Sequence, residues 1–350
     1  MNRWIGLDPH SETCMFVVQD EKGSVKIKMP VETNGQALIE FVKTIPGQRH
    51  LCIEEGTLSQ WLYEILSPHV YEVAVVPARK NRGNKNDFLD AYELANRMRL
   101  GDLGNRIYKP GPGLTTLKYL VRSYEMITGD LARAKNRINY LFRSQGAVVQ
   151  DRGCPGCLPG KPGVCLRTGL HAAIERLRKE QEGVEVLKLE AHKEMVLEAQ
   201  RHPIHRILRT APGIGPVRAA ELMAIVVSPH RFRTHRQLWK YSGLAVVQRS
   251  SSDWVRQPSG QFARAQVIQT RGLNRDFNHH AKAIFKGAAM TVITSMPQDP
   301  LRADYDRLLA NGTKPNLARL TLARKICAIV HSMWKNQEVY DPAKHRLKPD

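Results

Sequence analysis

The sequence predicts a mixed α/β first third followed by a mainly helical remainder, and three observations carry that expectation. Short apolar or alternating runs, "RWIGLD", "CMFVVQD" and "SVKIKMPV", are separated by polar turns and read as a three-stranded meander. Helix and strand patterns then alternate up to about residue 100. From residue 114 onward, apolar residues recur at three- and four-residue spacing over long stretches with many charges between them.

Taken in order, "GQALIEFVKTI" has helical spacing, "HLCIEE" is a strand, "SQWLYEILSPH" a helix and "VYEVAVVP" a strand. A last helix of this part runs from about Lys85 to Leu100. Three hairpin strands followed by alternating helices and strands match an RNase H-like α/β fold. Residues 114–145 and 170–202 then predict an antiparallel helical hairpin, with Leu117, Leu120, Val121, Tyr124, Ile127, Leu131 and Ile138 forming one stripe. Its tip is "DRGCPGCLPGKPGVCLRTG", whose glycines and prolines exclude regular structure. "LRTAPGIGPVRAAELMAIV" reads as a helix-hairpin-helix-like element: Gly213 and Gly215 leave backbone N–H groups free at a helix start, where a phosphate can dock. The plainer reading is a Gly-rich helix connection. A basic stretch rich in Ser and Gln occupies 228–275, and "NLARLTLARKICAIVHSMWKNQ" closes the chain as an amphipathic helix. There is no internal repeat.

The 350 residues are 42% hydrophobic and 25% charged, the balance of a globular protein with room for more than one domain. The net charge of +20 points to a polyanionic partner such as nucleic acid. That charge is uneven. Residues 1–100 hold 12 Lys and Arg against 13 Asp and Glu, whereas residues 206–286 hold 14 against 3. The basic surface therefore belongs to the second half, and the carboxylates of the first are not swamped by nearby cations. No apolar run approaches the ~20 residues of a membrane span, no signal peptide is visible, and six scattered cysteines form no disulfide framework. A cytoplasmic protein that does not engage membranes is expected.

Four carboxylates stand out. Asp8 ends the first strand, Glu54 lies near the end of the fourth, and Asp87 and Asp90 sit three apart on the helix that follows the last strand. Singly, each reads as a turn, cap or solvated residue. Jointly, they can converge at the sheet end, where like charges repel unless a divalent cation lies between them. Mg²⁺ suits such oxygen donors together with phosphate, and supports phosphodiester transfer. Glu55 rivals Glu54, because strand alternation directs only one of the two inward. Cys154, Cys157 and Cys165 offer three thiols, short of the four ligands of a structural zinc site, with His171 the nearest fourth. Trp239 and Tyr241 flank Lys240 and suit either base stacking or the core. His279 and His280 read as solvated or phosphate-facing, and Arg264, Arg271, Asn274 and Arg275 as a phosphate-contacting set.

"IGLD", "CIEEGT" and "KNDFLDAYELA" resemble the DEDD motif of the insertion-sequence-110-type transposases, the bridge-RNA-guided recombinases. "APGIGPVRAAELMAIV", "YSGLAVVQRSSSDW", "TRGLNRDF" and "LARKICAIVHSMW" resemble that family's C-terminal domain, in the same order. The resemblance covers almost the whole chain and is weakest over 145–205. It implies a RuvC-like DEDD domain over 1–110, a helical coiled-coil linker over 111–205 and a transposase domain with a serine nucleophile over 206–350. Carried over by position, Asp8, Glu54, Asp87 and Asp90 become the catalytic metal ligands, with Mg²⁺ as cofactor. The family's serine lies eight residues beyond the Gly of a G-L-x-P stretch. Counting from Gly243 reaches Ser251, although Val246 stands where Pro is usual and Ser252 where Gly is usual. The run Ser250, Ser251, Ser252 leaves the register open by one, and a solvated serine loop is the plainer reading. The implied activity is recombination of donor and target double-stranded DNA through a covalent phosphoserine, selected by a bridge RNA. The implied assembly is a dimer or tetramer whose sites combine domains of different subunits. A water-using, metal-dependent junction nuclease shares the four carboxylates, and a nucleic-acid-binding protein with a decayed site is the non-enzymatic alternative.

Overall fold

The structure is a computed structural model that describes residues 1–78, 86–104, 106–109, 111–144, 168–249, 254–264 and 269–344. It divides into two compact units, Met1–Gly113 and Leu114–Asp350.

The first unit is built on five strands: β1 (Asn2–Pro9), β2 (Thr13–Gln19), β3 (Val25–Glu32), β4 (Gln48–Glu54) and β5 (Glu72–Val76). Helix α1 (Gly35–Thr44) precedes β4, α2 (Ser59–Leu66) joins β4 to β5, and α3 (Asp87–Leu100) follows β5. The strand order is β3-β2-β1-β4-β5. The pairs β1–β2 and β2–β3 are antiparallel and the pairs β1–β4 and β4–β5 parallel, so the meander and the alternating part share one sheet. Edge strand β3 is mostly exposed and carries Lys26, Lys28 and Pro30, residue types that discourage pairing with another sheet edge.

The two sheet faces bury different partners. Ile5, Leu7, Phe16, Val18, Leu51 and Ile53 pack on one face with Leu38 and Val42 of α1 and Leu62 and Leu66 of α2. Cys52, Ala74 and Val76 pack on the other with Leu94 and Met98 of α3. Burying each of those two α3 side chains is worth roughly 1.5–3 kcal/mol, which holds the helix to that face.

The second unit opens with two long helices, α4 (Thr115–Arg143) and α5 (Thr168–Gln200), packed along each other. Ion pairs Lys135–Glu185 and Arg137–Glu180 cross between them. Next come α6 (Pro203–Leu208), α7 (Pro216–Val226) and α8 (His235–Tyr241). Strands β6 (Val246–Arg249), β7 (Trp254–Arg256), β8 (Phe262–Arg264) and β9 (Gln269–Leu273) form two small antiparallel ribbons, β6–β9 and β7–β8. Helices α9 (His279–Ser295), α10 (Pro300–Ala310) and α11 (Pro315–Asn336) close the chain. One core unites Leu117 and Val121 of α4, Met195 and Ala199 of α5, Met223 of α7, Phe285 of α9 and Ile326 and Trp334 of α11. A separate small cluster, Ile138, Phe142 and Ile174, lies further along the α4–α5 pair. Among the described residues, no helix is long and apolar enough to cross a membrane.

Candidate active site

The site in the first unit begins with a glycine. A side chain on Gly6 would put its Cβ 1.8 Å from the carbonyl oxygen of Ala91 and 2.6 Å from the amide nitrogen of Ala95. Helix α3 thus lies directly on the β1 backbone, an approach that only Gly opposite Ala permits. Asp87, Ala91 and Ala95 recur at four-residue spacing, so they share one helix stripe. Two residues beyond Gly6 and on the same strand face, Asp8 meets the Asp87 end of that stripe. Its side chain is only 9% exposed.

The helix start explains why two aspartates are tolerated there. Asn86 caps α3, its side chain accepting from the Phe88 N–H, and Asp87 and Asp90 both occupy the first turn. Free amides and the helix dipole favour negative charge at that end. Asp8 has no such support. Burial pushes its carboxyl above the ordinary range, His10 opposes the rise, and the charges of Asp90 and Asp87 add to it.

His10 lies between the aspartates. Its Nε2 is 3.1 Å from Asp8 Oδ2 and 3.4 Å from Asp87 Oδ1. One ligand atom from each of Asp8, His10 and Asp87 falls within 4.8 Å of the others. Two carboxylates and an imidazole so spaced form a donor set that suits a divalent cation. The sequence reading of the carboxylates did not include this histidine. The signal for it is "DPH", in which Pro9 ends the strand and turns the next residue back toward Asp8.

Strand register separates Glu54 from Glu55. Leu7 pairs with Ile53, and both belong to the core against α1 and α2. Asp8 and Glu54 each come one residue later, on adjacent parallel strands, so both face the α3 side, as Cys52 does. Glu55 is engaged elsewhere. Its carboxylate is 2.5 Å from the buried Lys109 Nζ and accepts from Ser59 Oγ at 2.9 Å, at the start of α2.

In the second unit, "PGIG" does separate two helices, α6 and α7. Gly213 has φ +72°, and a Cβ there would lie 2.3 Å from the Ala288 carbonyl oxygen, so packing against α9 alone requires this glycine. Its carbonyl accepts from Arg218 Nη1 at 2.6 Å. Gly215 caps α7 and has open space around its Cα. Asn274 is spent on local bonds: its side-chain amide donates to the Lys240 carbonyl, and its side-chain oxygen accepts from the Asp276 N–H. Arg275 is exposed. Arg264 and Arg271 lie on β8 and β9. Trp239 donates to the Arg324 carbonyl at 2.9 Å and Tyr241 packs on Phe232, so both rings serve the fold. Ser250, Ser251 and Ser252 lie outside the described residues, as do Cys154, Cys157 and Cys165.

A second titratable cluster escaped sequence reading because its members are scattered over three helices. Glu125 on α4, Glu221 on α7 and His280 on α9 line a cleft of about 450 Å³ with Arg218 and Tyr124. His280 Nδ1 is 3.0 Å from Glu125 Oε1. Burial, then the Glu125 charge, push the Glu221 carboxyl up to about 7, against the pull of Arg218.

Known proteins resemble both units. A model for DEDD transposases of the IS110 type matches residues 5–144. A model described as "Transposase IS116/IS110/IS902 family" matches residues 205–306, so the two cover more than half of the chain between them. The uncharacterized 44.8 kDa protein of insertion element IS116 from Streptomyces clavuligerus is 23% identical, over 97% of this chain and 96% of its own length. The uncharacterized 43.6 kDa protein of insertion element IS110 from Streptomyces coelicolor is 32% identical over 44% of this chain and 34% of its own length. With both family domains present in order and a relative matched nearly end to end, this chain belongs to the IS110/IS116 family of insertion-element transposases.

Proposed function

We propose that this transposase cuts and rejoins DNA strands through a covalent phosphoserine, with a bridge RNA choosing donor and target, and that it acts in the cytoplasm as a dimer or tetramer. In this reading residues 1–110 are a RuvC-like catalytic domain, 111–205 a coiled-coil hairpin and 206–350 the transposase domain with its helix-hairpin-helix-like element. The observation that carries it is the convergence of Asp8 and Asp87 on the α3 side of the sheet, with Asp90 near enough to raise the Asp8 carboxyl. A meander whose first strand neighbours the fourth supports the RuvC-like assignment.

Asp8, Glu54, Asp87 and Asp90 would hold Mg²⁺, which when bound lowers the pKa of an adjacent hydroxyl and polarises the phosphate. The chain's own part is to present the carboxylates rigidly: Asp8 from a central strand, Asp87 and Asp90 from a capped helix pinned at Gly6. Ser251 Oγ forms the bond to phosphorus, its proton leaves, and the departing DNA oxygen becomes a free hydroxyl. Arg264, Arg271 and Arg275, with the amides at Gly213 and Gly215, contact phosphates within the basic 206–286 segment, and Asn274 braces the turn beside them through Lys240 and Asp276.

Purified protein, Mg²⁺, candidate RNA and end-labelled DNA test the reading on denaturing gels, with peptide mapping of any adduct. A protein–DNA adduct at Ser251 that disappears in Ser251→Ala and in Asp8→Asn is the expected result. An adduct at Ser250 or Ser252 moves the register by one. Cleavage without an adduct, undiminished in Ser251→Ala, identifies a water-using nuclease. Binding without any cleavage identifies a decayed site, and cleavage that ignores the RNA removes the guide.

A further inference from the structure

The geometry points to His10 as a ligand of the metal centre: we infer that its Nε2 joins Asp8 and Asp87 on the same divalent cation, making the site a mixed nitrogen–oxygen centre. The inference rests on the metal reading above and adds to it a residue outside the DEDD set.

Three features support it. The first is spacing. Neighbouring ligands of an octahedral ion with bonds of ~2.1 Å lie about 3.0 Å apart. The imidazole nitrogen lies 3.1 and 3.4 Å from the two carboxylate oxygens, so one ion can face all three donors after small adjustments. The 3.1 Å contact to Asp8 is also a hydrogen bond, whereas 3.4 Å to Asp87 exceeds a good N–H···O distance, so hydrogen bonding alone accounts for one aspartate and not for both.

The second is preorganisation. The His10 N–H donates to the Thr13 carbonyl at 3.3 Å, and the His10 carbonyl accepts from Thr33 Oγ1 at 2.8 Å. The β1–β2 turn is thereby tied at both sides of the histidine. Pro9 before it fixes one further backbone angle. The ring is presented by a braced turn.

The third is access. Asp8 is buried, whereas the His10 side chain is about half exposed. The donor set therefore has a closed wall and an open side, through which an ion and a phosphate can enter. Nitrogen ligation has a chemical consequence. Imidazole favours transition metals over Mg²⁺, whereas carboxylates alone discriminate less. His10 should tilt the site toward Mn²⁺.

Mn²⁺ is the probe for the test, bound to the full-length protein and read by pulsed EPR and by competition with Mg²⁺. The wild type is expected to show ¹⁴N modulation from a directly bound imidazole, converted to the ¹⁵N pattern when the histidines are ¹⁵N-labelled. That labelling needs no mutation, so a folding defect in a variant does not decide the matter. His10→Gln should lose the modulation, bind Mn²⁺ about tenfold more weakly and show a smaller preference for Mn²⁺ over Mg²⁺. Asp8→Asn should lose Mn²⁺ altogether. Mn²⁺ bound in an Asp8-dependent way without nitrogen modulation, or with modulation that survives His10→Gln, overturns the role of His10 and leaves the carboxylate site standing. A wild type that binds no Mn²⁺, or binds it regardless of Asp8→Asn, overturns the metal site and this inference together.

Discussion

Replacing Glu221 with Gln should make the second unit more stable above neutral pH. Glu221 faces Glu125 and Tyr124 from α4, His280 from α9 and Arg218 from its own helix. Burial and the Glu125 charge raise its carboxyl from 4.5 to about 7. Between those values the folded chain holds a proton that the unfolded chain releases, so stability falls as pH rises through that window. The contribution is fully present below 4.5 and gone above about 7. At 1.36 kcal/mol per pH unit, the loss is on the order of 3 kcal/mol, an upper figure because the cleft is open to water. Gln keeps the shape and cannot ionise. Glu125, also raised by burial and lowered by His280, leaves a residual slope of the same sign. Pulse thiol labelling after urea equilibration reads this directly. Cys327 is fully buried in the second unit, and Cys14 and Cys52 in the first, so one mass-spectrometric experiment follows both. The Cys327 midpoint should drop from pH 5 to pH 8 in the wild type and drop less in Glu221→Gln, with Cys14 and Cys52 as the internal reference. A wild-type Cys327 midpoint that is flat over this range, or a variant less stable than wild type at pH 8, refutes the reasoning.

Gly6→Ala should cost the first unit roughly 1–3 kcal/mol, read from Cys14 and Cys52 labelling, because a Cβ there meets the α3 backbone. It should also weaken Mn²⁺ binding without touching any ligand. Glu54→Gln should weaken Mn²⁺ binding. Glu55→Ala should instead cost about 2–4 kcal/mol by stranding the buried Lys109 ammonium while calorimetric Mn²⁺ affinity holds. Affinity for duplex DNA, measured by fluorescence anisotropy, should fall about a hundredfold or more between 50 and 200 mM salt, as expected for several Lys and Arg on phosphates. Charge reversals within 206–286 should flatten that slope more than reversals within 1–100.

The meander was legible because β1 and β2 are dense in apolar residues, buried on both faces, and their turns are polar. The start of α3 was legible to within two residues: the spacing suggests Lys85, whereas the Asn86 cap begins the helix at Asp87. Local patterns stop where contacts become remote. Alternation separates Glu54 from Glu55 but not which of them faces the site; that is fixed by the register with β1 and by Lys109, more than fifty residues away. Gly6 looked like an ordinary strand residue, since its reason is a helix some eighty-five residues later. His10 was passed over as part of a turn. Gly213 stood out in the sequence for its amide, and its close packing on Ala288 is a further reason for glycine there that no local motif encodes.

The α4–α5 pair has a mechanical consequence. Twenty-nine residues of α4 at 1.5 Å each make an arm about 44 Å long. Leu117, Val121, Met195 and Ala199 clamp its root into the main core, while Ile138, Phe142 and Ile174 tie the pair together near its far end. Such an arm is a lever. A swing of about 5° at the root carries the end through roughly 4 Å over that length. Its stiffness is therefore set at the root, where Glu125 contacts His280 beside Glu221. A rotation too small to notice in that cleft would, by geometry alone, be several ångströms at the other end of the helix.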